Sequence, residues 1–416
     1  MTSPRTLIEK TSLPTRRALI QGSAALAVAG LGAPTIARAA DPIAIGSLTP
    51  NTGGGGPFGP NIAASHRRVV ELVNGMGGVL GRPIMLFQED SETNPEPSAR
   101  AATKLINVNK VMAILGTWSS SVTLGIMPMC QERDIIQMCT SSSSDIPLRD
   151  AKRLVFNFQA LSPVWGKAIA ELCVQRGFKT YAIMALNNDF TKSMVDSFVS
   201  VVGKAAVVEE PFNYNGGQSS YRAEVEKLIA RKPAAVFIPS YVQDFTAIYK
   251  EIFRAGYEGQ VITSSLSTGP QFVQAVGKAA DGIIHGFPVP PIGSPVYKEY
   301  LAEAGLKDTG QVQHPFGTAG RDQMSVLLLA IEKAGTLEAA KVGAAIHAVT
   351  TGPGKTSVTN VVDGLKALRA GKEINFNGAS SSVEFDAQNQ LKSRAFQLAQ
   401  IKDGADTVIA RLEETT

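Results

Sequence analysis

Along most of this chain, short apolar runs alternate with longer stretches whose apolar residues recur at helical spacing. Residues 43–48, 84–88, 111–115 and 135–138 are the first four runs and predict strands, with helices expected at 61–74 and 95–108. Further strands are expected at 181–186, 206–212, 234–239, 261–263 and 282–287, and helices at 164–176, 191–203, 221–231 and 245–255. Apolar strands separated by helices belong to parallel sheets covered on both faces. More than nine such strands overfill one sheet. The expected fold is therefore α/β with two similar lobes, each a parallel sheet with helices on both faces.

The seam between the lobes is expected at residues 156–159, after four strand–helix units. Pro288, Pro290 and Pro291 break regular structure near a second crossing. Beyond it helices dominate (321–334, 337–349, 361–370), followed by strand-like runs at 374–376, 383–385 and 395–401. If this last third packs back on the first lobe, residues 40–159 with 288–394 form an N-terminal lobe and residues 160–287 with 395–416 a C-terminal lobe. Several crossings then make a multi-strand hinge, and the cleft between the lobes is the expected binding site.

Residues 111–144 concentrate the candidate chemistry. The strand at 111–115 runs through Gly116 into Thr117-Trp118-Ser119-Ser120-Ser121, and the strand at 135–138 runs into Thr140-Ser141-Ser142-Ser143-Ser144. Neighbouring parallel strands would thus end, on one sheet edge, in clusters of hydroxyls and free backbone N–H groups. That edge is where open α/β sheets hold small ligands, and a helix N-terminus beside it favours an anion such as a carboxylate. Singly, these serines also make good N-caps and turn formers. Two clusters in register point to a site.

Composition then removes other classes. A length of 416 residues suits two domains, and 44% hydrophobic with 6% aromatic residues suits a soluble globular chain. Cys130, Cys139 and Cys173 are too few and odd in number for a disulfide framework and read as buried thiols. His66, His285, His314 and His347 show no metal-ligand spacing, so no metal is expected. Residues 1–39 differ in kind: Arg16-Arg17 before Ala18-Leu19-Ile20, an Ala/Gly-rich segment, and Ala37-Arg38-Ala39 read as a twin-arginine-type signal peptide cleaved near Ala39. The segment is too short and weakly apolar to span a membrane, so a periplasmic address is expected. It also carries the whole formal charge of +4, through Arg5, Lys10, Arg16, Arg17 and Arg38 against Glu9. The remainder is neutral and lacks the basic footprint that nucleic acid or anionic lipid requires.

Two motifs imitate nucleotide sites. Gly54-Gly55-Gly56-Pro57-Phe58-Gly59 fits G-x-G-x-x-G after the first strand, and Glu89-Asp90 ends the second. An exported nucleotide-dependent oxidoreductase is the rival reading. A dinucleotide fingerprint turns tightly from strand to helix, whereas this loop runs from 49 to 60 with three prolines and reads better as a flexible lip over the cleft. Gly352-Pro353-Gly354-Lys355-Thr356 resembles the end of a phosphate loop, but Val349 stands where the first glycine must be, so an ordinary loop is expected. No G-x-S-x-G elbow or serine–histidine arrangement can be picked out, and neither catalysis nor a cofactor is expected.

A series of segments then falls into order: Ile43-Ala44-Ile45-Gly46 before the glycine-rich loop, residues 73–84 (VNGMGGVLGRPI), Glu89-Asp90-Ser91 with Asn94-Pro95, the two hydroxyl clusters, Asn188-Asp189-Phe190, and Asn377-Gly378-Ala379-Ser380 with Val383-Glu384-Phe385-Asp386. Together, over residues 41–416, they resemble the periplasmic solute-binding proteins of the branched-chain amino acid class, the type I binding-protein fold that serves ABC importers. The resemblance implies a non-catalytic, monomeric receptor for a small carboxylate-bearing ligand, with ABC permease subunits as partners. It implies that Ser120 and Ser142, with the backbone at Thr140, hold the carboxylate, with Ser119 a further ligand-binding candidate beside them, while Phe190 and Tyr241 close from the second lobe. Phe58 and Phe316 would line the side-chain end, and Trp118 would be a pocket wall or a packed cap. Amino-acid binders of this class hold the α-ammonium with an acid after the strand at 261–263, where this chain has Ser264-Ser265-Leu266-Ser267, with Ser265 at that place. An unpaired ammonium in a closed cleft costs several kcal/mol. Either Asp189 or Asp244 replaces the acid, or the ligand is an aromatic carboxylate, amide or urea-like compound without an ammonium. A sensor subunit of the same fold is a further alternative.

Overall fold

The computed structural model describes residues 41–415, so the signal-peptide reading of residues 1–39 lies outside the described residues. Strands β1 (Ile43–Thr49), β2 (Ile84–Asp90), β3 (Ala113–Thr117), β4 (Ile136–Cys139) and β5 (Val155–Asn157) form a parallel sheet in the order β2-β1-β3-β4-β5. Successive residues of a strand serve opposite faces. Ile43, Ile45, Ala113 and Leu115 pack with Val69, Val73, Met324 and Leu328 of the helices Gly59–Gly75 and Gly317–Ala334. On the other face Ile114 meets Leu105 and Ile126 of the helices Pro95–Asn107 and Ser120–Glu132.

Strands β6 (Thr180–Leu186), β7 (Val207–Val208), β8 (Phe212–Tyr214), β9 (Ala235–Phe237), β10 (Gln260–Ser264) and β11 (Ile284–Pro288) belong to the second sheet. The run expected at 206–212 is divided: β7 pairs with the start of β6 and β8 with its end, and Glu209-Glu210-Pro211 intervenes. Strands β12 (Thr356–Val358) and β13 (Ile374–Phe376) form a separate parallel pair. The chain ends in β14 (Ser393–Lys402) and β15 (Ala405–Thr415), giving the order β15-β14-β11-β10-β9-β6-β7, with β8 also on β6. Both last strands run antiparallel, so the second sheet is parallel through β11 and closes with a hairpin. The hairpin turns at Asp403 (φ +49°) and Gly404 (φ +75°), the two positive φ values that a type I′ turn demands.

Residues 383–385 do not form the expected strand. Val383 sits at φ +55°, which breaks an extended run, and Phe385 makes a single bridge to Leu391. Helices Pro270–Val276 and Pro295–Glu303 were not expected. The chain passes between the sheets three times: after β5, after β11 and before β14. At the first and last crossings the segments lie side by side, with Asn157 donating to the Asn389 carbonyl (3.0 Å) and its Nδ2 to Gln390 Oε1 (2.9 Å). All three cysteines are buried and unbridged.

Candidate functional site

The site begins with a glycine. Gly116, next to last in β3, has φ +88°, and a Cβ there would lie 2.7 Å from Thr49 Cγ2 and 2.9 Å from His66 Cε1. The β3–β4 register slips at this point, and a bulge of this kind re-aims the chain out of the sheet. It delivers Trp118 and then the helix Ser120–Glu132, whose N-cap Ser119 makes no side-chain cap. The first N–H groups of that helix have no intrahelical partner.

The two hydroxyl clusters interlock. Ser120 Oγ accepts the N–H groups of Ser142 (3.1 Å) and Ser143 (3.0 Å), and Ser141 Oγ bonds Thr123 Oγ1 (2.6 Å) and the Trp118 carbonyl (3.1 Å). Ser143 Oγ accepts from Asp145 N (3.2 Å). Ser141 and Ser143 therefore build the site's frame. Thr140 is only 2% exposed and its hydroxyl has no hydrogen-bond partner. Its N–H is spent on the Thr117 carbonyl (2.9 Å), so Thr140 offers its side chain, not the backbone amide that the resemblance implied.

These groups face a cleft whose empty space, open solvent at its mouth included, is about 240 Å³. Ser120, Thr140, Ser142 and Gln159 supply its polar lining, and Trp118, Phe316, Trp165, Phe190, Tyr241 and Leu266 the rest. Ring centroids lie 5.1 Å apart for Trp118–Tyr241, 5.8 Å for Trp118–Phe316 and 5.4 Å for Trp165–Phe190. The Trp118–Tyr241 pair spans the two lobes, as does the bond from Asp189 N to Ser121 Oγ (3.3 Å). Burial pushes the Tyr241 phenol well up, against the opposing pull of Ser119 and Asn188, and keeps it neutral.

Three expected residues stand outside this wall. Phe58 packs behind it, 5.3 Å from Trp118 and 5.1 Å from Phe316. Ser119 reaches Tyr241 instead of the cavity. Ser265 is half-buried with its N–H on the Gly286 carbonyl (3.1 Å), and its neighbour Leu266 takes the wall position. Neither candidate acid lines the cavity: Asp244 Oδ1 accepts from Tyr221 Oη (2.6 Å) and Gly217 N (2.9 Å), and Asp189 stands where its helix begins. Gln159, Trp165 and Leu266 escaped the sequence reading. Gln159 alone had a signal, as a polar residue at the expected seam.

The glycine-rich loop is fastened at its start. Asp90 accepts from Asn51 N (2.9 Å), Thr52 N (3.3 Å), Thr52 Oγ1 (2.7 Å) and Glu92 N (2.8 Å). Partial burial opposes the charged carboxylate, but these bonds prevail and hold its pKa below the usual range. The acid that a ribose would need is thus committed to the loop. The loop's glycines let it lie against the cleft: a Cβ on Gly54 would be 2.4 Å from Tyr241 Cδ2, and one on Gly55 2.8 Å from Trp118 Cε3. The phosphate-loop imitation is a helix cap, with Lys355 Nζ donating to the carbonyls of Ala348 and Thr351, both at 2.6 Å. Among the described residues no helix is long and apolar enough to cross a membrane, and no three His, Cys, Asp or Glu side chains cluster as metal ligands would.

The periplasmic binding protein profile matches residues 42–406, and the chain belongs to that family of non-enzymatic substrate-binding proteins. It is 25% identical over 364 residues to the chemotactic signal transduction system substrate-binding protein BasB of Halobacterium salinarum, covering 84% of each chain. The leucine-binding protein LivK of Thermotoga maritima superposes with a TM-score of 0.73 at 21% identity, covering 89% of this chain and 98% of that one. A solute-binding protein of an R. palustris ABC transporter, solved with 4-hydroxybenzoate, gives a TM-score of 0.73 at 16% identity, covering 90% and 98%. The two-lobed type I fold expected from the sequence is the fold of this chain.

Proposed function

We propose that this protein is the substrate-binding component of an ABC importer, capturing a small carboxylate-bearing solute in the interlobe cleft and delivering it to the permease. The observation that carries this reading is the Thr140 hydroxyl, buried without a partner in a cavity that it shares with Ser120 and Ser142. A buried polar group left unsatisfied costs about 1–3 kcal/mol, which a bound carboxylate recovers. The open N-terminus of the helix Ser120–Glu132 adds free N–H groups and the positive end of its dipole.

Residues 40–159 with 288–394 act as one rigid body and residues 160–287 with 395–416 as the other, hinged where the chain crosses. Export through a signal in residues 1–39 places the receptor in the periplasm, where it works as a monomer. Ligand binding favours the closed arrangement, which the permease reads. The leucine-binding structure supports a branched-chain or other amino acid as ligand, and the 4-hydroxybenzoate complex supports an aromatic carboxylate. A sensory role is supported by the name of the Halobacterium relative, and a pull-down of membrane partners separates permease from signalling receptor. A thermal-shift panel of amino acids, aromatic acids, amides and urea tests the reading. A true ligand at 100 times its Kd adds about 2.7 kcal/mol to stability. A shift with a dinucleotide and with none of these solutes overturns it in favour of the oxidoreductase.

A further inference from the structure

We propose that the solute held in this cleft is an aromatic carboxylate that carries no ammonium group. This rests on the carboxylate-receptor reading above and narrows it. A zwitterion held in a closed cavity needs two opposite partners, because an ammonium removed from water is tolerated only beside a negative charge. Among the described residues, no aspartate or glutamate lines this cavity.

The polar groups that do line it are arranged to donate. Ser120 Oγ already accepts two backbone N–H groups, so its own O–H is what remains. Gln159 Oε1 accepts the Ala160 N–H (3.0 Å), which leaves the amide's Nε2 donors for the cavity. Burial keeps Tyr241 protonated. Thr140 adds a hydroxyl with no partner. A carboxylate, which only accepts, matches the O–H and amide donors of this set; an ammonium would find only neutral hydroxyl oxygens and no negative charge. Leu266, an apolar side chain 6% exposed, forms the wall beside the Ser264–Ser265 pair, and Asp244 is bound to Tyr221 and Gly217.

The apolar part of the wall selects the body of the ligand. Trp118 and Tyr241 face the cavity from one lobe each, and Trp165 and Phe190 meet edge to face beside them. Rings packed in this manner favour a flat aromatic guest by offset stacking and edge contacts over a branched aliphatic one.

The test is calorimetric titration of the purified protein with matched acids that differ only by the α-ammonium: phenylacetate against phenylglycine, and 3-methylbutanoate against valine, with benzoate and leucine added. The expected result is that benzoate or phenylacetate binds at least 100-fold tighter than phenylglycine and at least tenfold tighter than 3-methylbutanoate. Valine, leucine or phenylglycine binding as tightly as its ammonium-free counterpart overturns the inference while leaving the receptor reading intact. Loss of that amino acid binding in Asp189→Asn would then identify Asp189 as the missing charge. Preference for 3-methylbutanoate overturns the aromatic part. Binding of added benzamide with no binding of any carboxylate overturns the carboxylate inference and leaves a receptor for an amide, whereas the failure of every solute to bind overturns the receptor reading itself.

Discussion

Thr140 pays a cost inside the protein for a contact made outside it, and this separates its two roles experimentally. Thr140→Val keeps the shape and removes the orphan hydroxyl, so thermal stability of the unliganded protein is expected to hold or rise slightly. Affinity for the carboxylate ligand should fall by roughly 10- to 150-fold, the value of a hydrogen bond to a charged group of about 1.5–3 kcal/mol. Unchanged affinity by calorimetry would remove Thr140 from the site. His66 makes a second residue-level prediction. Burial pushes its pKa down to about 4, with a smaller opposing bond to Gln323, while Ser47 Oγ meets its Nδ1 at 2.8 Å. The unfolded chain protonates near pH 6.5, so both states are neutral above that value and stability is fully present there. Between pH 6.5 and about 4 the unfolded state alone gains the proton, and the chain should lose up to about 3 kcal/mol at 1.36 kcal/mol per unit. Urea melts of wild type and His66→Gln across this window check it, since the variant should lack that part of the slope. Ser120, Thr140 and Ser142 were legible in the sequence because hydroxyls clustered at two strand ends. Trp165 and Leu266 were not, because a wall residue is chosen by three-dimensional proximity and leaves no local pattern.

At the scale of elements, the glycine-rich loop shows how a motif is misread. Its G-x-G-x-x-G spacing suits a pyrophosphate, yet the glycines serve the approach of backbone to Tyr241 and Trp118. Gly54 touches a side chain of the opposite lobe, so Gly54→Ala places its Cβ against the Tyr241 ring only when the lobes are closed. The expected outcome is at least a tenfold weaker ligand affinity with the melting temperature of the unliganded protein nearly unchanged; equal affinity would show that the loop yields. Strands β1 to β4 were expected, with β1, β3 and β4 buried and continuously apolar, whereas β5 was read only as the seam. Strand β15 was missed even though Asp403-Gly404 is a two-residue hairpin signal. Its sequence, ADTVIARLEET, lacks a continuous apolar run, as an edge strand with one solvated side permits. Residues 383–385 failed in the opposite sense: Val, Glu and Phe favour a strand, and the positive φ of Val383 overrides them.

At the scale of the molecule, the cleft is closed by side chains from both lobes. Ile62, Trp118 and Phe316, all from the first lobe's segments, join the same buried cluster as Phe190, Tyr241 and Leu266 of the second. The crossings between the sheets were legible in outline, from the polar seam after β5 and the prolines after β11, while the pairing of Asn157 with Gln390 across 233 positions was not. A cluster of this kind sets the balance between open and closed forms, and a ligand shifts that balance only by binding one form better. Without ligand, the ring contact between the lobes, Trp118 on Tyr241, is worth about 0.5–1.5 kcal/mol beyond area burial, against the freedom lost when two lobes lock. The free protein should therefore sample open forms, with a radius of gyration in small-angle scattering larger than that of this structure. Saturating carboxylate should bring the two values together. Trp118→Ala removes the central ring of the cross-lobe contacts and should leave the ligand-induced contraction smaller at equal saturation. A free protein already as compact as this structure, and unmoved by ligand, would mean that the two lobes form one fixed body and that the aromatic cluster is core, not latch.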